Sequence, residues 1–191
     1  MKRRILVGIS GASGPIYAVR LLQALAVYDE IETHLILTRS GILTLKLENP
    51  ALDLEKVQAL ADVVYSVSDI SACVASGSYP MDSMVVVPCS MKTLAAIAHG
   101  YSDNLLTRAA DVMLKERRRL ILVPRETPLH SGHLRNMLSV SELGAIVVPP
   151  VPAFYHQPTN LADIIDHTVG KLLSLLGLAQ DLLPPWLGPH R

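Results

Sequence analysis

The sequence has few of the residues that mark secreted, metal-binding or nucleic-acid-binding proteins. Among 191 residues it has two cysteines, one tryptophan and one phenylalanine, and its 17 basic side chains are balanced by 17 acidic ones. Cys73 and Cys89 form no close-spaced metal or redox pair, and so few thiols suit a reducing cytoplasm. A net charge of zero argues against nucleic-acid binding. We therefore expect a cytoplasmic protein with no metal site and no nucleic-acid partner.

Long apolar runs are also missing. No segment is long enough to cross a membrane, so we expect no membrane insertion. Residues 2–4 are basic and residues 5–9 are mostly apolar, as in a signal peptide, but the apolar run is too short and leads into a glycine-rich turn. Half of the residues are hydrophobic, which at this length predicts one domain with a large core.

Segments typical of strands and helices alternate along the chain. Apolar runs predict buried strands, and residues with helical spacing, such as Ile16, Val19 and Leu22, lie between them. The predicted strands are residues 5–9, 34–37, 63–65, 84–87, 120–123 and 145–148. This alternation predicts an α/β fold, a doubly wound parallel sheet of the Rossmann-like, flavoprotein type. We expect a single domain over residues 1–180 and a tail, residues 181–191, at a subunit contact.

Residues 84–119 are the most informative stretch. Residues 84–87 suit a strand buried on both faces, and we expect Pro88 to end it because proline cannot donate to a sheet ladder. Residues 89–93 then open a helix with free N–H groups, two hydroxyls and a lysine, which suits an anion or a flavin edge. That helix should stop at Gly100.

A second helix follows, and its charged residues crowd towards its end, as solvated helix ends often do. We expect Ser102 or Asp103 to cap its start. Arg108 and Lys115 lie two turns apart on one face, so both are candidates to contact the same ligand.

The glycine spacing near the start helps to identify the ligand. Glycines at positions 8, 11 and 14 do not form the dinucleotide fingerprint. Thr38 follows the second strand where a dinucleotide-binding fold places an acid for the ribose. We therefore favour a mononucleotide with a terminal phosphate over NAD. Ser13 and Thr38 are candidates to bind it; the alternative is that Ser13 only caps its helix.

Polar residues follow several of the predicted strands. They are Ser13, Thr38, Ser90, Arg125 and Glu126. Ligands in doubly wound sheets bind beyond the carboxyl ends of the strands. We therefore expect one cleft to collect these residues.

Four segments of the chain closely resemble the UbiX-type flavin prenyltransferases. They are GISGASG (8–14), PCSMKTLAAIAHGYSDNLLTRAADVMLKERRR (88–119), RETPLHSGHLRNM (125–137) and PPVPAFY (149–155). The resemblance implies transfer of a dimethylallyl group from dimethylallyl monophosphate to N5 and C6 of reduced FMN, giving prenylated FMN for a UbiD-type decarboxylase. It also implies a metal-independent reaction, a homododecamer, and a place in ubiquinone biosynthesis or phenolic acid breakdown.

The resemblance also implies the site residues. Positions that match flavin contacts are Gly11, Ala12, Ser13, Thr38, Ser90, Met91, Lys92, Thr93 and Arg125. Positions that match the surroundings of the prenyl phosphate are Lys115, Glu126, Tyr155 and Lys171, and Glu48 and Trp186 match further active-site positions. We add Arg108 to the substrate-binding set. Lys171 stands where many relatives have arginine, so it keeps the charge without the bidentate geometry.

These residue types suit the implied chemistry. Lys115, Lys171 and Tyr155 would stabilise the charge on a departing phosphate without a metal. Glu126 would protonate that phosphate if burial raises its pKa, although a glutamate beside Arg125 is often only a salt bridge. Glu48 is the candidate base for the ring proton.

Three other functions remain open. A flavin-dependent decarboxylase of cysteine-ended peptides shares the fold class, but such enzymes have a P-A-S-A-N-T turn where this chain has PCSMKT. A decarboxylase of aromatic acids would require a site for the acid. A non-catalytic FMN-binding shell protein would not need the prenyl phosphate residues.

Overall fold

Six parallel strands form one sheet in the computed structural model, which describes residues 2–183, Trp186 and Gly188. The strands are β1 (Arg3–Ile9), β2 (Ile31–Leu37), β3 (Val63–Ser66), β4 (Ser83–Cys89), β5 (Arg119–Pro124) and β6 (Ile146–Val147). Their order is β3-β2-β1-β4-β5-β6, and every neighbouring pair is parallel. The strand order reverses between β1 and β4. The predicted doubly wound parallel sheet is therefore confirmed.

Seven helices accompany the sheet within the described residues. They are α1 (Ile16–Leu25), α2 (Arg39–Glu48), α3 (Leu54–Gln58), α4 (Met91–Ala98), α5 (Leu105–Lys115), α6 (Ser131–Glu142) and α7 (Leu161–Leu175), with a 3₁₀ turn at Cys73–Ala75. No helix in this part of the chain is long and apolar enough to cross a membrane.

The chain divides into two compact units, Met1–Pro150 and Val151–Arg191. The first unit holds the whole sheet and helices α1 to α6. The second holds α7, which begins at an Asn160 cap and buries Val169 and Leu172. The predicted domain boundary at residue 180 stays a prediction, and residues 184, 185, 187 and 189–191 of the predicted tail lie outside the described residues.

The strand β4 shows why the sheet tolerates proline. All seven of its residues are buried, as expected for a central strand covered on both faces. The expectation that Pro88 ends the strand is wrong, because β4 continues to Cys89. The pairing with β5 shifts between Val86 and Cys89, so the missing donor of Pro88 falls where the ladder is already irregular.

A short loop, residues 99–104, separates α4 from α5. Gly100 has φ of 63° and follows α4, as predicted. The cap of α5 is Asn104, so the predicted caps Ser102 and Asp103 are wrong. Asn104 is the cap because its side chain accepts a hydrogen bond from the Thr107 N–H, while the Thr107 hydroxyl accepts one from the Asn104 N–H. This reciprocal arrangement satisfies two backbone donors at the start of α5.

Candidate active site

A cavity of about 560 Å³ opens at the carboxyl ends of the strands. Its lining comes from the segments that follow β1, β2, β3 and β4, and from the loop before α5. The lining residues are Gly11, Thr38, Arg39, Ser40, Val67, Ser68, Ser90, Lys92, Thr93, Asp103 and Asn104. This is the edge, and the point of strand-order reversal, where doubly wound sheets bind their ligands. The volume falls in the range of small-molecule sites.

Two close backbone approaches shape one wall of the cavity. A Cβ on Gly11 would lie 2.3 Å from the Cβ of Ser40, so only glycine fits in the turn after β1. A Cβ on Gly41 would lie 2.6 Å from the carbonyl oxygen of Ile9. The Thr38 hydroxyl accepts from the Gly41 N–H at 3.0 Å and caps α2. Thus the first turn and the start of α2 are held against each other.

A buried serine joins the ends of β1 and β4. The Ser10 hydroxyl donates to the Pro88 carbonyl oxygen at 2.9 Å and accepts from the Ser90 N–H at 2.7 Å. Ser90 in turn caps α4, because its hydroxyl oxygen accepts from the Thr93 N–H at 3.2 Å. Ser10 therefore sets the position of the α4 N-terminus, a role that the sequence analysis did not assign.

The charges around the cavity are mixed. The Lys92 ammonium lies 3.0 Å from the Asp103 carboxylate, and this contact lowers the pKa of Asp103. The Lys92 side chain is nevertheless 71% exposed, so it remains accessible to a ligand anion. Arg39, at the start of α2, supplies a second cation on the lining. A phosphate group would find these cations and the N–H groups of α4 at one edge of the sheet.

The second unit has its own cluster of rings. Tyr155 lies edge-on to Trp186, with ring centroids 5.5 Å apart, and its hydroxyl is 3.1 Å from Nε2 of His167. His156 stacks on His167 at 4.7 Å. Burial, then His156, then Lys171 lower the pKa of His167. We call Tyr155, His156, His167 and Trp186 the aromatic cluster.

Comparison with known proteins assigns the chain to a family. The family model described as Flavoprotein matches residues 1–175. The flavin prenyltransferase UbiX of Salmonella typhimurium is 55% identical over 188 residues, which cover 97% of this chain and 99% of the relative. The chain belongs to the UbiX-type flavin prenyltransferases.

Two solved structures of this family share the fold closely. The structure of AnUbiX (PadA1), in complex with FMN and dimethylallyl pyrophosphate, has a TM-score of 0.94 and 48% identity, covering 98% of this chain and 99% of the other. A dodecameric FMN-dependent UbiX-like decarboxylase from Escherichia coli O157:H7 also has a TM-score of 0.94, with 46% identity, covering 97% of this chain and 100% of the other.

Within the flavin prenyltransferase fold, five of the nine expected flavin contacts line the cavity. These five are Gly11, Thr38, Ser90, Lys92 and Thr93. The other four lie beside it in sequence or on a neighbouring strand end: Ala12, Ser13, Met91 and Arg125. The alternative that Ser13 caps α1 is not found, because the N-cap is Pro15 and has no side-chain cap hydrogen bond.

The two candidate acids lie on different segments. Glu48 is the last residue of α2, and its carboxylate accepts from the Gly14 N–H at 2.8 Å, beside the turn after β1. Glu126 follows β5, and its carboxylate accepts from the Thr127 N–H at 3.0 Å. Among the described residues no ion pair joins Glu126 to Arg125. Both glutamates are exposed, so this chain alone does not supply the burial expected of Glu126.

The structure does not bring Arg108 and Lys115 to the cavity. Arg108 pairs with Asp111 at 2.6 Å and donates to the Ala75 carbonyl oxygen. Lys115 contacts Glu116 and lines a different cavity of about 390 Å³. At about 1.5 Å per residue, α5 places Lys115 about 16 Å from the Asn104 edge of the first cavity. Neither residue lines the first cavity of its own chain, and the expectation that both contact one ligand stays a prediction.

Several residues that line the cavity are not among the candidates predicted from the sequence. Val67 and Ser68 directly follow β3, so the rule that placed Thr38 and Ser90 at the cavity predicts them as well. Asp103 is predicted only as a possible helix cap, and Asn104 is not predicted to have a role. No sequence signal distinguishes Ser10 from the other turn residues, because its role depends on contact with β4.

Proposed function

We propose that this protein transfers a dimethylallyl group from dimethylallyl monophosphate to reduced FMN, forming bonds at N5 and C6 and delivering prenylated FMN to a UbiD-type decarboxylase. The observation that carries this proposal is the 55% identity to a curated flavin prenyltransferase over 97% of the chain. The cavity at the carboxyl edge of the sheet supports it, because residues from two of the four family motifs, 8–14 and 88–119, line it.

The cavity suits FMN. The start of α4 offers N–H groups, and the hydroxyls of Thr38 and Ser90 belong to residues that follow β2 and β4, the two strands on either side of β1. Arg39 and Lys92 supply positive charge for the terminal phosphate. The Asp103 carboxylate, which lies 3.0 Å from the Lys92 ammonium, would repel a second phosphate at this place. This agrees with a mononucleotide, which has a single phosphate. Gly11, Ala12, Ser13, Met91, Thr93 and Arg125 complete the proposed flavin contacts.

The proposed residues for the prenyl phosphate come from three places. Tyr155, Lys171 and Trp186 lie in the second unit, where Tyr155 and Trp186 are in ring contact. Glu126 follows β5. Lys115 lies about 16 Å along α5 from the Asn104 edge of its own cavity, and Arg108 is engaged by Asp111 and the Ala75 carbonyl oxygen outside the cavity lining. We therefore propose that Lys115 and Arg108 serve the site of a neighbouring copy. The dodecameric state of the E. coli relative supports such an assembly.

Each proposed residue has a chemical task. As the allylic C–O bond breaks, negative charge grows on the phosphate, and Lys115, Lys171 and the Tyr155 hydroxyl stabilise it. Glu126 gives a proton to the departing phosphate. Glu48 accepts the C6 proton when the new ring closes. Since none of these tasks requires a metal ion, we propose a metal-independent reaction.

One experiment separates this function from its alternatives. Purified protein is incubated anaerobically with reduced FMN and dimethylallyl monophosphate, and the flavin is analysed by mass spectrometry. A prenyltransferase yields the adduct mass. A decarboxylase of cysteine-ended peptides or aromatic acids instead releases CO₂ from those acids, and a shell protein binds FMN without turnover. If the FMN recovered from the incubation with dimethylallyl monophosphate is unchanged, the proposed function is refuted.

The cellular setting follows from the same chemistry. The two cysteines of the chain, Cys73 and Cys89, are free thiols. Free thiols persist in reducing compartments such as the cytoplasm. We therefore place the protein in the cytoplasm, and the experiment that checks this is localisation of a tagged copy.

A further inference from the structure

The Tyr155 hydroxyl is held by a histidine that none of the proposed roles uses. Tyr155 lies in the loop before α7, and its side chain is half exposed. A ring in such a position loses rotamer freedom only if other groups fix it. His167, on α7, provides a fixed partner, with Nε2 3.1 Å from the phenol oxygen. The two rings meet edge to face, with centroids 5.7 Å apart at 75°.

His167 is itself held from a second side. The His156 ring lies nearly parallel to it, at 9° and 4.7 Å. His156 also meets the Tyr155 ring edge to face at 5.5 Å. The aromatic cluster therefore fixes the plane of the His167 ring and, through the hydrogen bond, the direction of the Tyr155 hydroxyl.

We propose that His167 is a positioning residue that orients the Tyr155 hydroxyl towards the phosphate of the prenyl donor. This inference rests on the proposed function, in which Tyr155 contacts that phosphate. When Tyr155 donates its proton to a phosphate oxygen, its own oxygen is free to accept a hydrogen bond from Nε2–H of His167. The two residues then form a donor chain that ends at the phosphate.

The surroundings of His167 favour the neutral imidazole, whose Nε2–H tautomer can donate to the Tyr155 oxygen. Burial lowers the pKa of His167, and His156 and Lys171 lower it further. Lys171 lies four residues on, one turn along α7, so a charged His167 would repel the lysine proposed to bind the phosphate. A neutral ring keeps the hydrogen bond to Tyr155 and leaves the positive charge of Lys171 for the phosphate.

The kinetic test compares variants of the two partners. His167→Leu should raise the KM for dimethylallyl monophosphate about 2-fold to 12-fold, the effect of one neutral hydrogen bond, with a smaller change in kcat. His167→Gln keeps a polar group near the phenol and should restore most of the loss. In a Tyr155→Phe background, His167→Leu should add little, because the hydroxyl that it orients is already absent. Ser174→Ala, two turns along α7, is the matched control and should behave like the wild type.

A second readout does not depend on catalysis. Trp186 is the only tryptophan in the chain and touches the Tyr155 ring, so its fluorescence reports the position of that ring. His167→Leu should change the fluorescence decay of the ligand-free protein, whereas His167→Gln and Ser174→Ala should not.

The outcomes separate the two proposals. Wild-type protein that makes no adduct refutes the proposed function, and the fluorescence comparison still decides whether His167 positions Tyr155. If the wild type is active and Tyr155→Phe is impaired, an unchanged KM in His167→Leu overturns the positioning role. Equal losses from His167→Leu with and without the Tyr155 hydroxyl also overturn it.

Discussion

Ser10 offers the sharpest test of how the cleft is built, because its hydroxyl joins two strand ends and contacts no proposed ligand group. Its side chain is buried and makes two hydrogen bonds, to the Pro88 carbonyl oxygen and from the Ser90 N–H. Ser10→Ala removes both bonds without adding bulk. We expect the protein to lose stability and to bind FMN more weakly, since the Ser90 N–H and the start of α4 lose their support.

The size of the loss follows from what each partner keeps. The Pro88 oxygen still accepts from the Ser10 N–H at 3.2 Å, so that end loses one ordinary hydrogen bond, worth about 0.5 to 1.5 kcal/mol. The Ser90 N–H is left without its acceptor, which costs about 1 to 3 kcal/mol. Together these give about 1.5 to 4.5 kcal/mol. For a chain of this size the Tm should fall by about 3 to 18 °C.

The assay is thermal unfolding at one fixed protein concentration, with and without FMN. Ser13→Ala is the control, because it removes a hydroxyl from the same turn that has no hydrogen-bond partner among the described residues. We expect Ser13→Ala to leave the Tm of the FMN-free protein nearly unchanged, so the two variants are compared without FMN. Equal Tm values for the Ser10→Ala and Ser13→Ala variants would refute the reasoning, as would Ser10→Ala protein that binds FMN with wild-type affinity.

The remaining predictions concern ligand choice, the two acids, acid stability and assembly. Calorimetry should show tighter binding of FMN than of NAD or FAD; the reverse order would contradict the cavity assignment. Glu126→Gln should slow the first bond by about two to four orders of magnitude, whereas Glu48→Gln should accumulate the N5-linked adduct; identical spectra in anaerobic single turnovers would reject these roles. Burial lowers the pKa of His34 although Glu32 opposes this shift, so the unfolded chain takes up a proton on His34 more readily than the folded protein does. The stabilising contribution of neutral His34 should therefore be lost as the pH falls below about 6.5, and the Tm of His34→Gln should depend less on pH between about 7 and 5 than the Tm of the wild type. Equal pH dependence of the two Tm values would contradict this prediction. Exposed apolar residues such as Leu134, Leu138 and Phe154 should lie at subunit contacts. Light scattering should therefore give a mass above that of the monomer for the wild type and a lower mass for the double variant Leu134→Glu/Leu138→Glu. A monomeric wild type would disprove this prediction.

The cleft was predictable because parallel strands end at a common edge. Thr38 and Ser90 follow strands that neighbour β1, so their sequence positions alone place them together. The same rule, that residues after parallel strands line the cleft, would also have predicted Ser68 if the residues after β3 had been considered. The cap of α5 was harder, since Asp103 and Asn104 are both good caps and only the reciprocal bonds with Thr107 decide between them.

Helical spacing fixes a face but not a distance from a site. Arg108 and Lys115 do share a face of α5 by their spacing, yet the helix carries Lys115 away from the cavity edge at Asn104. Pro88 shows a similar limit. Its lack of an N–H is a local property, whereas the register shift that accommodates it depends on β5.

The position of Lys115 links the proposed chemistry to assembly. If Lys115 stabilises the departing phosphate, then α5 of one copy must reach the cleft of another, because its own cleft lies at the opposite end of the helix. In that case the proposed flavin contacts that line the cavity would come from a single chain, whereas part of the charge that helps the phosphate to leave would come from a second one. Dissociation of the oligomer should therefore abolish prenyl transfer more completely than it weakens FMN binding. Mixing equal amounts of Lys115→Ala subunits and inactive cleft variants should then restore part of the activity, since the cleft of a Lys115→Ala subunit is completed by Lys115 of a neighbouring cleft variant.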